Sequence, residues 1–370
     1  MKRFLMMSML YLAAACSPEE RDFAPGSSDS TSAASVGAGA GAGEGGSGGG
    51  GLPACGDGLS FCSGACADTS SDPEHCGACG HYCLGQRCVE SRCEPLELAS
   101  GGSEPLDIAV DDTTVYWVDS VARKIMTVPI GGGNAAVFIE ADPDFSPRSL
   151  AVSADSLYYT DSGLEHVVRS SFDGEIFEIL GEGQTYPLAI AIDAANAYWT
   201  SADLGTVMKA PIDGGGDAVA LATDQASPLG VVVDATHVYW VNEGGSVMKV
   251  PIEGGDLVTL AEGQAKPQDI AVGATHVYWT NDGGTVMAAP IEGGSPITLA
   301  EGQRNPRRIA IDDASVYWTN DDGSVRKVPF GGGDPITLAE GQEHPLGIAV
   351  DGTSVYWTNS AGGTVMKLPK

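Results

Sequence analysis

The chain has 370 residues, 43% of them hydrophobic, and sets 19 Lys and Arg against 49 Asp and Glu for a formal charge of −30. That length holds one large domain or two modest ones. So few cations can release few phosphate counterions, which excludes nucleic acid as a partner and argues against direct docking on anionic headgroups; the acidic balance reads as solubility through self-repulsion.

The chain opens MKRFLMMSMLYLAAAC. Residues 1–15 have the parts of a signal peptide: Lys2 and Arg3 as the charged region, Phe4 to Leu12 as the apolar run, and Ala13 to Ala15 as the small-residue cleavage site. The apolar run is too short to span a bilayer. With Cys16 directly after the small residues, the segment resembles a bacterial lipoprotein signal, although Leu12 stands one place earlier than that motif usually carries its Leu. The resemblance implies that Cys16 is lipidated and becomes the mature N-terminus. Ser17, in place of a retention Asp, favours an exported protein at the outer membrane or cell surface. The alternative is an ordinary secretory signal that is removed together with Cys16.

Residues 16–54 read as a tether. From residue 24 they are almost wholly Gly, Ser and Ala, a composition that cannot offset the entropy of ordering. About 30 such residues reach roughly 30 Å. A cysteine-rich module follows at 55–94. Beyond Cys16, the cysteines are Cys55, Cys62, Cys66, Cys76, Cys79, Cys83, Cys88 and Cys93. An even number in an exported chain is the mark of a disulfide framework. So short a segment needs one, because its own core is too small. The pair Cys76 and Cys79 also has zinc-ligand spacing, but export and parity favour bridges. Spacing leaves the connectivity open among 105 possibilities.

Residues 96–370 contain no cysteine and every Trp in the chain, and they repeat. An aromatic pair recurs as Tyr116-Trp117, Tyr158-Tyr159, Tyr198-Trp199, Tyr239-Trp240, Tyr278-Trp279, Tyr317-Trp318 and Tyr356-Trp357, at steps of 39 to 42 residues. Each copy breaks into four short runs rich in Val, Ile, Thr, Tyr and Trp, separated by Asn-Asp-Gly-Gly and Glu-Gly-Gly turn signals. Four short strands every forty residues predict a β-propeller blade. Apolar residues on both parities of the second strand, as in Val277-Tyr278-Trp279, fit a sheet covered on both faces by its neighbours. The last copy, ending GGTVMKLPK, lacks the ITLAEGQ that closes the others, whereas Leu96-Glu97-Leu98-Ala99 precedes the first. The expectation is an all-β, seven-bladed propeller whose last blade is completed by this N-terminal strand, leaving no open edge between first and last blades.

In stretches such as IAVDDASVYWTNDDGSVRKVPFGGG the repeat resembles the YWTD-type propellers of the low-density-lipoprotein receptor group and, more loosely, NHL-type propellers. Two departures stand out. Asp of the YWTD motif is present at Asp119 and Asp161 but is Asn at Asn242, Asn281, Asn320 and Asn359 and Ser at Ser201. The receptor propellers have six blades and the count here is seven. The resemblance implies extracellular binding through loops, without catalysis. The cysteine-rich stretch is similar to modules of bacterial surface lipoproteins.

Residues that repeat are expected to build blades. The Trp residues, together with Met208, Met248, Met287 and Met366, therefore read as packing, and His237 and His276 as turn residues. No HExxH or P-loop sequence occurs, and no catalytic residue, metal ligand or cofactor is assigned. The clearest break in the repeat is the sixth copy, EGQRNPRRIAIDDASVYWTNDDGSVRKVPF, which gathers Arg304, Arg307, Arg308, Arg326 and Lys327. Arg304, Arg307 and Arg308 are expected on the loop entering the innermost strand, at the rim of one face. There they form either a cationic site for a carboxylate, sulfate or phosphate or an arrangement neutralised by neighbours such as Asp269. Leu106, Leu188, Leu229 and Leu346, beside Ala189, Gly230 and Gly347, are expected to line the channel mouth. The leading expectation is a monomeric, surface-anchored, non-catalytic lipoprotein recognising an extracellular protein or polysaccharide. The alternative is an exported propeller enzyme, a lyase or hydrolase; such rings include the streptogramin lyases, which need unrepeated His, Glu or Asp residues converging at the mouth.

Overall fold

Each forty-residue repeat folds into a four-stranded antiparallel sheet, and seven such sheets are present. In the computed structural model, residues 55, 58–62, 65–140 and 143–370 are described; the signal region, Cys16 and the tether lie outside them. The first blade consists of Pro105–Val110, Thr114–Asp119, Lys124–Pro129 and Ala136–Glu140, running from the ring centre outward. Innermost strands of successive blades pack side by side around the ring, including the seventh against the first.

The seventh blade is built from Pro345–Val350, Ser354–Asn359 and Thr364–Pro369, with Leu96–Ala99 as its outer strand. Ala99 pairs with Val365, Glu97 with Met366 and Leu96 with Lys367, as the missing end of the last repeat predicts. The two ends of the repeat region thus share one sheet.

Three repeated side-chain devices explain the sequence pattern. The Thr of Tyr-Trp-Thr reaches the next blade: Thr160 donates to the carbonyl of Leu188, Thr200 to Leu229, Thr280 to Arg307, Thr319 to Leu346, and Thr358 closes the ring onto Leu106 at 2.7 Å. The Tyr hydroxyl donates to the Asp of Ile-Ala-Val-Asp, as from Tyr198 to Asp193, Tyr239 to Asp234 and Tyr317 to Asp312, each at 2.7 Å. The Trp indole donates to the Gln that ends the preceding repeat, as from Trp279 to Gln264 and Trp357 to Gln342, each at 3.0 Å.

That glutamine accounts for the departure from the YWTD pattern. Where it is present, the following Asn donates its Nδ2 to the same Gln oxygen: Asn242 to Gln225, Asn281 to Gln264 and Asn359 to Gln342, at 3.0–3.1 Å. Ser201 does the same with Gln184. In the first two blades Gly102 and Asp144 stand in the Gln position, and Asp119 and Asp161 instead accept backbone N–H groups: Ser103, Glu104 and Ala122 in one, Ser146, Gly163 and Leu164 in the other. Gly102 fits closely there: a Cβ would lie 3.1 Å from an Asp119 oxygen and 3.2 Å from the Gly363 carbonyl, so a larger residue needs a small shift of its neighbours.

The cysteine-rich module carries four disulfides: Cys55–Cys66, Cys62–Cys79, Cys76–Cys88 and Cys83–Cys93. The Cys76–Cys79 pair is thereby split between two bridges, and the cluster of Cys76, Cys83 and Cys93 sulfurs consists of disulfide sulfurs with no thiolate to offer zinc. The module packs against the sixth and seventh blades, sharing a buried cluster with Val325, Ala339 and Leu368. His81 Nε2 lies 3.1 Å from the main-chain oxygen of Lys370, and Arg92 pairs with Glu340 at 3.3 Å.

Candidate functional site at the channel mouth

The innermost strands all begin with Pro, and the next two residues face neighbouring blades around the axis. A bulge just after the Pro interrupts pairing with the second strand in each blade, between the Pro and the fourth residue in six of them, as between Pro306 and Ile309, and between Pro267 and Asp269 in the fifth. The backbone N–H groups released by that irregularity are met from the side. Asp107 accepts from Leu150 N at 2.9 Å and Asp269 from Ile309 N at 3.0 Å, each bracing the following blade.

Arg308 occupies the same repeat position as these two aspartates. Its Nη1 lies 3.6 Å from Asp269 Oδ1, an ion-pair distance too long for a hydrogen bond, and it also feels the charge of Asp107. Burial pushes the Asp269 carboxyl above its usual value, with Arg308 and the Ile309 N–H opposing the shift. The Arg308 guanidinium is thus charge-paired with Asp269 and close to the charge of Asp107, without a side-chain hydrogen bond of ordinary length among the described residues.

Arg307 is held differently. Its Nε and Nη2 fork onto Asp321 at 2.7 and 2.9 Å, and Asp321 also accepts from Asn305 and lies 3.4 Å from His344 Nε2. Burial raises the Asp321 carboxyl, but the Arg307 and Asn305 hydrogen bonds outweigh it and leave the group below its usual value. Arg304 is exposed and has no ion pair among the described residues.

Leu188, Ala189, Leu229, Gln268, Arg307, Arg308 and Leu346 together line a cavity of about 210 Å³. Two of the three sequence-predicted arginines therefore meet at one concavity, with Ala189 and three of the four expected leucines; Leu106, Gly230 and Gly347 are not among its lining residues. Arg304 does not line it. The structure also moves two residues: the strand begins at Pro306, so Arg307 and Arg308 belong to it and only Arg304 lies on the preceding loop. Asp321 and His344 escaped sequence reasoning, because both sit in turns whose repeat position varies. The signal that finds Asp321 is its alignment with Asp282 and Glu243 in a turn that stands above the preceding loop.

No protein-family model matches the chain, and no curated protein matches it in sequence. Among solved structures it is similar to virginiamycin B lyase from Staphylococcus aureus, at 14% identity over 75% of this chain and 98% of that one, with a TM-score of 0.66. It is likewise similar to a streptogramin B lyase, at 17% identity over 74% of this chain and 96% of that one, with a TM-score of 0.65. A chain of the nidogen/laminin complex aligns at 20% identity over 60% of this chain and 92% of that one, with a TM-score of 0.49. What is shared with the two lyases at these identities is the fold.

Proposed function

We propose that the chain is a non-catalytic binding module, acting as a monomer and held at the cell envelope through Cys16 and the Gly-rich tether, whose propeller takes an acidic group of a protein or polysaccharide ligand at the channel mouth. Arg308 carries this reading. It is a guanidinium, charge-paired with Asp269 at 3.6 Å without a hydrogen bond of ordinary length, that lines a cavity walled by Leu188, Leu229 and Leu346. A few convergent polar groups among apolar walls are what a binding cavity requires, and a guanidinium matches the two oxygens of a carboxylate. The exposed Arg304 supplies a second positive charge on a molecule of net charge −30, so it would favour approach of an anionic group on this side. A lyase or hydrolase at the same mouth is the second reading; its support is the ring shared with the streptogramin lyases, which is an analogy of fold.

The test is a pulldown from envelope and culture fractions with the full chain as bait, beside a variant with Arg304, Arg307 and Arg308 all changed to Glu and a second with Arg304→Glu alone, which leaves the buried ion pairs intact. A partner captured by the parent, weakened by the single change and lost in the triple one is the expected result. Equal capture by all three removes the site while keeping the module. No capture by any of them removes the binding reading and makes small-molecule turnover the next assay.

A further inference from the structure

Cations recur at one position of the third strand, opposite the Tyr of the aromatic pair: Arg169, Lys209, Lys249, Lys327 and Lys367. Four of them reach the next blade and donate to the carbonyl just past its third strand. Arg169 reaches Ile212, Lys209 reaches Ile252 and Lys367 reaches Ile130, each at 2.9 Å, while Lys249 reaches Ile291 at 2.7 Å. Lys327 is the exception. The corresponding atom is the main-chain oxygen of Lys370, the residue after Thr364–Pro369; His81 of the disulfide module lies 3.1 Å from it, and Lys327 makes no hydrogen bond to it. Nζ of Lys327 makes no hydrogen bond or ion pair among the described residues and sits 5.9 Å from the centre of the Tyr317 ring.

The released lysine borders a cleft of about 350 Å³ between the module and the sixth and seventh blades. Ile336, Leu338 and Leu368 form apolar wall on the propeller side, and His81 and Arg92 lie on the module side. Ile336 is 50% exposed, so the cleft is open to solvent along the outer strand. Burial holds the Lys327 ammonium below the usual lysine value; Asp312 opposes that shift and the Lys370 charge adds to it. A half-buried ammonium without an acceptor is under-solvated, and an anion that supplies one relieves that cost.

We propose that this cleft is a second ligand site, separate from the channel mouth, for a small carboxylate with an aryl or alkyl body: the carboxylate meets Lys327 and the apolar body lies on Ile336, Leu338 and Leu368. Four equivalent cations that find their acceptor inside the ring serve as internal controls, so the inference rests on how Lys327 departs from them and is independent of the reading of Arg308.

Ligand-observed NMR on the full chain tests it, with benzoate and hexanoate as probes and benzyl alcohol as the uncharged counterpart. The proteins are the parent, Lys327→Gln and Arg304→Gln. Saturable carboxylate binding that falls about tenfold in Lys327→Gln, the size expected for one charge-assisted hydrogen bond, and holds in Arg304→Gln is the expected result. Melting of Lys327→Gln is expected to match the parent, because no hydrogen bond is removed, so the loss would belong to binding and not to folding. Carboxylate binding unchanged in Lys327→Gln, no saturable binding of either carboxylate, or equal binding of benzyl alcohol would each overturn the proposal.

Discussion

Asn281 and Asp119 hold equivalent positions in their blades and do opposite work. Asn281 donates its amide to Gln264 at 3.1 Å and to Thr285 at 3.0 Å, whereas Asp119 only accepts. Exchanging one for the other sets acceptor against acceptor in a site that is 2% exposed. Asn281→Asp is therefore expected to cost roughly 2–3 kcal/mol, read as a lower denaturation midpoint, and the loss should shrink at acid pH as the new carboxyl protonates and regains a donor. The Asp–Tyr pairs give a second measurement at this scale. Burial pushes Asp111, Asp193, Asp234 and Asp351 up, but their Tyr and backbone hydrogen bonds outweigh it and leave each carboxyl below its usual value. Depressed carboxyls contribute stability that is present above the unfolded value, near 3.8, and is lost as pH falls through the folded ones. The partner hydroxyls shift the other way: burial, and then the Asp111 carboxylate, push Tyr116 up to about 12. That contribution is whole below the unfolded value of 10.0 and fades as pH rises through the folded one. Melting temperature against pH should thus show a plateau with an acid shoulder below about 4 and an alkaline one above about 10; a curve centred on the isoelectric point of about 4.2 would contradict this account.

At the scale of the element, the repeat period is the dominant signal because each strand carries its own pattern. The second strands are buried on both faces, as in His276–Asn281, which is why their apolar residues run together without alternating. The outer strands are half-exposed, and only one of them comes from the far end of the repeat region. Leu98 on that closing strand is 4% exposed and joins a cluster with Ile108 and Trp117. Leu98→Asp buries a carboxylate without a partner and unpairs the blade that closes the ring, so it is expected to cost about 3 kcal/mol or more. A change at an outward-facing position of an ordinary outer strand, Val137→Asp, at a side chain 44% exposed, is expected to stay within about 0.5 kcal/mol. Comparable unfolding midpoints for the two variants would show that Leu96–Ala99 does not close the ring in solution. The closure was legible because a truncated repeat at one end matched its missing strand at the other. Disulfide connectivity was not, since spacing alone does not say which sulfurs meet.

At the scale of the whole molecule, the proposed reading has the tether and Cys16 decide where the ring works. In the reading proposed here, Cys16→Ser blocks lipidation and moves the protein from the membrane fraction to the soluble one, as followed by fractionation and by intact mass. A parent protein that is already soluble and unmodified would remove the anchor. The sequence by itself determined the ring, its blade number and its closing strand, because strand propensity, turn chemistry and a forty-residue period are local properties repeated until they agree. It also marked the sixth blade as the break in the pattern. Only the tertiary structure decided which of that blade's cations are spent. Arg307 is neutralised by Asp321, 14 residues away in sequence, and Arg308 is flanked by Asp269 of the neighbouring blade. Lys327 makes no hydrogen bond among the described residues, and the Lys370 oxygen at the equivalent place is met instead by His81, 289 residues upstream. Whether a charge is free depends on what lies within a few ångströms of it, and for these residues that neighbourhood is assembled from distant parts of the chain by closure of the ring and docking of the module.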